Sequence, residues 1–135
     1  MTQALFVTST GLIHEVVDFV LSKDDVVFPG ALTPTEVIAA WKTGADFVKV
    51  FPAAPVGGDQ YIRSLKIPLP QIPLIAAGGV NQLTAVKFIR AGATAVGVGV
   101  ELMPHDAIRL RQDDRIHELA RRFLGFVAEG RSINL

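Results

Sequence analysis

The chain has 135 residues, half of them hydrophobic, and 13 basic residues balance 13 acidic ones. That length carries one domain with a real core and is too short for two ordinary ones. The even charge argues against nucleic acid and acidic membrane surfaces, the lack of cysteine excludes disulfides and thiolate metal sites, and no apolar run approaches the roughly 20 residues of a membrane span.

The opening Met1-Thr2-Gln3-Ala4 lacks the basic head and long apolar run of a signal peptide, so a cytoplasmic protein is expected. Ala4-Leu5-Phe6-Val7-Thr8-Ser9 is a short apolar run closed by Thr10-Gly11, which predicts a buried strand and turn. Over residues 12–23, Ile13, Val16, Val17, Val20 and Leu21 recur at helical spacing. Val26-Val27-Phe28 is a second strand, expected to stop at Pro29-Gly30. Thr33-Pro34-Thr35-Glu36 reads as a capping box with proline at the first helical position, and its helix should run to Lys42-Thr43 and end at Gly44.

After a strand around Lys49 come a Gly57-Gly58 loop, a helical segment near residues 61–65, and a connector broken by Pro68, Pro70 and Pro73. Leu74-Ile75-Ala76-Ala77 is the fourth strand, turned by Gly78-Gly79. Asn81 can cap a helix over 82–91 that ends at Gly92, and residues 95–100 form the fifth strand. Within the single domain expected over 1–135, residues of about 105–135 are a C-terminal helix and tail. The helix is expected over Asp113–Glu129, with Ile116, Leu119, Ala120, Phe123 and Val127 on one side, and the chain is expected to fray after Gly130.

Strand alternation makes Lys49 the chemically informative residue. Val48 and Val50 point one way, and Phe47, Lys49 and Phe51 the other. With both faces covered, Lys49 would sit in an apolar interior, where desolvation lowers an amine's pKa toward the neutral form that attacks carbonyls. The plainer readings of a lone strand lysine are an ion pair with a carboxylate or a side chain extended to the strand end.

Gly30, Gly44, Ala45 and Val48 recur as Gly78, Gly92, Ala93 and Val96, each 48 residues on. Each copy reads glycine turn, helix, Gly-Ala, strand, which predicts an α/β fold with a parallel sheet. A doubly wound open sheet and a TIM-type barrel both fit, and interior glycines in the last strand favour the barrel. Only five strands are visible, against about 250 residues for a full barrel.

Three segments carry a family resemblance: Phe28-Pro29-Gly30-Ala31-Leu32-Thr33-Pro34-Thr35-Glu36, Val48-Lys49-Val50-Phe51-Pro52-Ala53 and Ala77-Gly78-Gly79-Val80. They resemble the 2-keto-3-deoxy-6-phosphogluconate and 4-hydroxy-2-oxoglutarate aldolases, in order, from about Phe6 to Met103. The resemblance implies a class I aldolase on a parallel (β/α) barrel of TIM type, here about five units (strands four to eight) with the N-terminal units missing. It implies cleavage of a 2-keto-3-deoxy sugar acid or 4-hydroxy-2-oxoglutarate to pyruvate and an aldehyde. No metal or cofactor is expected, only a covalent imine with Lys49, and the assembly would be a homo-oligomer, by family a trimer.

By the same resemblance Lys49 is the Schiff-base residue. Pro29, Gly30, Phe51, Gly78, Gly79, Gly99 and Glu101 are substrate-binding, with Gly78-Gly79 and the end of the eighth strand offering backbone N–H groups to a phosphate. The sequence departs from the family in three ways. The strand-two glutamate that acts as base, with its arginine, is absent; Ala77 replaces a threonine; and Glu101 stands close to a family serine, where a carboxylate would repel phosphate.

Other candidates have simpler explanations. Glu36 completes the capping box, Glu101 is a solvated residue near a helix start, and Asp59 is expected in an exposed loop. His14, His105 and His117 share no spacing and read as surface residues, with His105 near the rim. Trp41 and Tyr61 read as packing residues. Two rival readings remain: a non-catalytic half-barrel that binds keto acids or self-associates, and another phosphate-handling barrel enzyme. The exposed parallel edges and uncovered core face of five strands would favour self-association.

Overall fold

The structure, a computed structural model, describes residues 4–132. Strands and helices alternate as β1 (Phe6–Thr8), α1 (His14–Leu21), β2 (Val26–Phe28), β3 (Gly30–Ala31), α2 (Pro34–Lys42), β4 (Val48–Val50), α3 (Asp59–Lys66), β5 (Leu74–Ala77), α4 (Ala85–Arg90), β6 (Ala95–Gly97), α5 (His105–Arg109) and α6 (Asp113–Ser132). Every strand pair is parallel, in a two-stranded sheet β1-β2 and a four-stranded sheet β3-β4-β5-β6.

β2 stops before Pro29, as expected, but the chain does not turn away there. The chain runs through it from β2, paired with β1, to β3, paired with β4, and the Lys49 N–H donates to the Pro29 carbonyl at 2.9 Å. Proline lacks a donor but keeps its acceptor, so it can join the two sheets.

The helices form where the local chemistry points. Thr33 and Glu36 close both halves of the capping box on α2, and Gly44 after it and Gly92 after α4 take left-handed φ values of 89° and 107°. Asn81 Oδ1 accepts from the Leu83 and Thr84 N–H groups at 2.9 and 3.1 Å, so a capped turn precedes the regular helix, which begins at Ala85.

Three expectations about the later part of the chain change. β6 ends at Gly97, because the Gly99 carbonyl accepts from the Leu102 and Met103 N–H groups and turns the chain. A further helix, α5, precedes the long one. α6 continues through Gly130 to Ser132: Gly130 is buried against Ile89, where a Cβ would lie 2.7 Å from the Ile89 Cβ, and Arg131 donates to the Thr94 carbonyl at 2.9 Å. Residues 133–135 of the tail expected to fray lie outside the described residues.

The main core gathers Val37 and Ala40 of α2, Ile62 and Leu65 of α3, and Phe88 of α4 on Val48, Val50, Leu74 and Ala76 of the sheet. A smaller cluster joins Val17 and Val20 of α1 to Val27 and Ala45. Among the described residues, no helix is long and apolar enough to cross a membrane.

Candidate active site

On β4 the alternation holds. Val48 and Val50 are fully buried, and Lys49 between them is half-buried on the opposite side. That opposite side is not covered: it opens onto a cavity of about 890 Å³. In register, Lys49 lies between Gly30 and Ile75. Gly30 has no side chain, and the Thr10 backbone occupies the place of one.

Among the described residues Lys49 has no hydrogen-bond or ion-pair partner; its Nζ lies 5.7 Å from the centre of the Phe51 ring. Burial without a counter-charge pushes the amine below the usual lysine range. The ion-pair alternative for this lysine therefore falls away.

Lys49, Phe51, Gly78, Gly79, Gly99 and Glu101 all line the cavity. Gly78 and Gly79 have φ values of 85° and 80°, which L side chains rarely adopt. Each also meets the loop after β4: a Cβ on Gly78 would lie 2.8 Å from Pro52 Cα, and one on Gly79 2.4 Å from Ala54 Cβ. The carbonyls of Ala77 and Gly78 accept from the Ala53 and Ala54 N–H groups at 2.8 and 3.0 Å, tying that loop to the turn. Glu101 is exposed on the cavity rim.

Pro29 and Gly30 do not line the cavity. Both are buried, and a Cβ on Gly30 would fall 1.8 Å from the Thr10 carbonyl oxygen. The close approach that Gly30 permits is to the chain's own backbone.

The remaining candidates are placed as follows. Glu36 Oε2 accepts from the Leu32 and Thr33 N–H groups and the Thr33 hydroxyl, and these bonds hold its carboxyl below the usual range. It does not line the cavity. Tyr61 packs on the core and also donates its hydroxyl to the Leu32 carbonyl at 2.6 Å. Asp59 opens α3 instead of lying in a loop, half-buried. His14, His105 and His117 are exposed, and no group of three or more His, Asp or Glu among the described residues could hold a metal.

Sequence reasoning passed over Phe6, Thr8, Phe28, Ile75 and Asn81 as cavity residues. Alternation put Phe47 on the Lys49 side, and the same parity applied to the neighbouring strands would have found Phe6, Thr8 and Phe28.

Residues 2–119 match the family described as Aldolase: KDPG and KHG aldolase. The chain belongs to this family. A 2-dehydro-3-deoxy-6-phosphogalactonate aldolase of Escherichia coli (strain K12) is 40% identical over 77 residues, 56% of this chain and 37% of that protein. The native KDPGal structure is similar with a TM-score of 0.86 and 28% identity, over 96% of this chain and 61% of that one. The KDPG aldolase from Legionella pneumophila, with pyruvate captured at low pH as a covalent carbinolamine intermediate, gives a TM-score of 0.78 and 25% identity over 93% of this chain and 58% of that one.

The fold is thus a parallel α/β arrangement similar to the TIM-type barrel of KDPG aldolases. The chain spans about half the length of the curated relatives it matches.

Proposed function

We propose that this chain carries the imine-forming part of a class I, pyruvate-forming aldolase, with Lys49 as the Schiff-base residue. The observation that carries this reading is an unpaired, half-buried Lys49 amine opening onto a cavity, in a chain of the KDPG and KHG aldolase family. A KDPG aldolase relative holding pyruvate as a covalent carbinolamine supports the same chemistry here.

In this mechanism the neutral Lys49 amine adds to the C2 ketone of a 2-keto-3-deoxy sugar acid or 4-hydroxy-2-oxoglutarate. The carbinolamine loses water to give a protonated imine. A base takes the C4 hydroxyl proton, the C3–C4 bond breaks, the aldehyde leaves, and its bonding electrons pass into a pyruvate enamine on Lys49. Protonation at C3 and hydrolysis return the amine and release pyruvate. Phe51 and the Gly78-Gly79 turn would border the substrate, and no metal or organic cofactor takes part.

Imine formation asks for Lys49 and for proton transfers that water can carry, whereas cleavage also asks for a base at the C4 hydroxyl. Glu101 is the only carboxylate among the described residues lining the cavity, and Glu36 is committed to its helix cap. We read the strands as units four to eight of the barrel and the assembly as a homo-oligomer, a trimer by family, measurable by light scattering after gel filtration.

Borohydride trapping with pyruvate tests the central claim. A reduced pyruvyl adduct at Lys49, absent in Lys49→Ala, is expected by intact and peptide mass spectrometry. A folded sample without the adduct overturns the reading and leaves a non-catalytic relative. Pyruvate release from the candidate keto acids then measures turnover.

A further inference from the structure

Tyr61 sits on the first turn of α3, just after the loop that follows β4, and packs on the main core. Its hydroxyl reaches another unit of the fold, donating at 2.6 Å to the carbonyl of Leu32, between β3 and α2. The Leu32 N–H donates to Glu36 Oε2 at 3.0 Å. Both backbone groups of Leu32 are therefore held by side chains, one from α2 and one from α3. Burial, and after it the Glu36 carboxylate, push the Tyr61 phenol above its ordinary value, which keeps it a donor.

That bond completes a frame around the loop after β4. On the β5 side, the Ala53 and Ala54 N–H groups donate to the Ala77 and Gly78 carbonyls, and a Cβ on Gly78 would lie 3.0 Å from Phe51 Cδ2. Within the loop, the Gly57 and Gly58 N–H groups turn back to the Ala54 and Ala53 carbonyls at 3.3 and 3.0 Å, leading into α3. On the β3 side, one tie is a backbone bond, from the Phe51 N–H to the Ala31 carbonyl at 3.1 Å. Tyr61 supplies a second tie on that side, one residue further along at Leu32. Two attachment points fix an orientation that a single one leaves free to pivot. All of these contacts lie within residues 31–79.

We propose, resting on the reading of Lys49 as the imine-forming amine, that Tyr61 is a positioning residue of that site. Its hydroxyl, through Leu32 and Ala31, holds Phe51 and the Gly78-Gly79 turn in place relative to Lys49. Tyr61 itself does not line the cavity. Phe51 lies two residues from Lys49, with its ring centre 5.7 Å from Nζ, so a pivot of the loop moves the wall beside the amine. The consequence falls on how well a keto acid is held for attack, and the amine itself stays competent.

Borohydride trapping across a pyruvate series tests this in Tyr61→Phe, which removes the hydroxyl and keeps the ring. Half-maximal adduct should need about fivefold more pyruvate, the fold-change of one neutral hydrogen bond, while saturating pyruvate still labels Lys49 fully. Residue-resolved amide exchange should show the Phe51 N–H exchanging faster. Thr43→Ala, which removes a hydroxyl bond to the Ala40 carbonyl at 2.7 Å at the other end of α2, controls for general destabilisation and should move neither readout. An unchanged half-maximal concentration in Tyr61→Phe overturns the proposal, as does an equal rise in Thr43→Ala or a rise without faster exchange at Phe51. Any of these, with the adduct present in the parent, leaves the imine reading standing. A folded parent without a Lys49 adduct overturns both.

Discussion

The two faces of the β3-β4-β5-β6 sheet differ in kind. On one, Val48, Val50, Leu74 and Ala76 are fully buried under Val37, Ala40, Ile62, Leu65 and Phe88. On the other, Lys49, Phe51, Ile75 and Ala77 border a cavity. The helix-covered face supplies stability through apolar area removed from water. The open face can hold an amine with no counter-charge, because half-burial penalises the cation without excluding it. Stability and chemistry lie one residue apart on the same strand.

Substitutions on the covered face should have the largest effect. Leu74→Ala removes a fully buried side chain and should cost about 2–5 kcal/mol in denaturant unfolding. A cost below that range would mean that the core collapses around the gap. Gly30→Ala puts a methyl 1.8 Å from the Thr10 carbonyl oxygen, so backbone must shift, at about 1–3 kcal/mol. Thr33→Ala, which loses the capping bond to Glu36 N–H, should cost about 1 kcal/mol by the same measurement.

The open face should behave differently. Lys49→Met should change stability near neutral pH by no more than about 1 kcal/mol, while removing every adduct at that position. It should also weaken a pH dependence. Burial holds the folded amine below its ordinary 10.5, so between the lowered value and 10.5 the unfolded chain binds more protons. Stability then rises with pH through that window, and the full penalty stays below it. Urea unfolding midpoints across alkaline pH should rise less in Lys49→Met than in the parent, since Lys66, also held below its ordinary value by burial, contributes to the rise in both. The smallest effect should come from Arg90→Ala: its pair with Glu129 at 3.2 Å is exposed, and thermal unfolding should register about 0–1 kcal/mol.

Much of the local structure was legible because its causes lie within a few residues. The capping box at Thr33–Glu36 and the helix stops at Gly44 and Gly92 depend on neighbours three or four positions away. The helix at 105–109 was missed because five residues after a proline carry too short a pattern to show a period. At Pro29 the strand stop was legible, but not that the Pro29 carbonyl accepts from Lys49 and leads into β3. Gly30 and Gly78 looked alike as glycine turns. One is occupied by the Thr10 backbone, and the other borders the cavity beside Pro52.

By itself the sequence determined the alternation that sets Val48 and Val50 against Phe47, Lys49 and Phe51, the helix boundaries with caps, and the family. Only the tertiary structure decided which face the helices cover, that Gly30 rather than a side chain neighbours Lys49 in the sheet, and that Phe6, Phe28 and Phe47 line one cavity with the amine. The reason is physical. A strand's period of two assigns side chains to faces, but what those faces touch depends on register and on partners some 19 to 26 residues away.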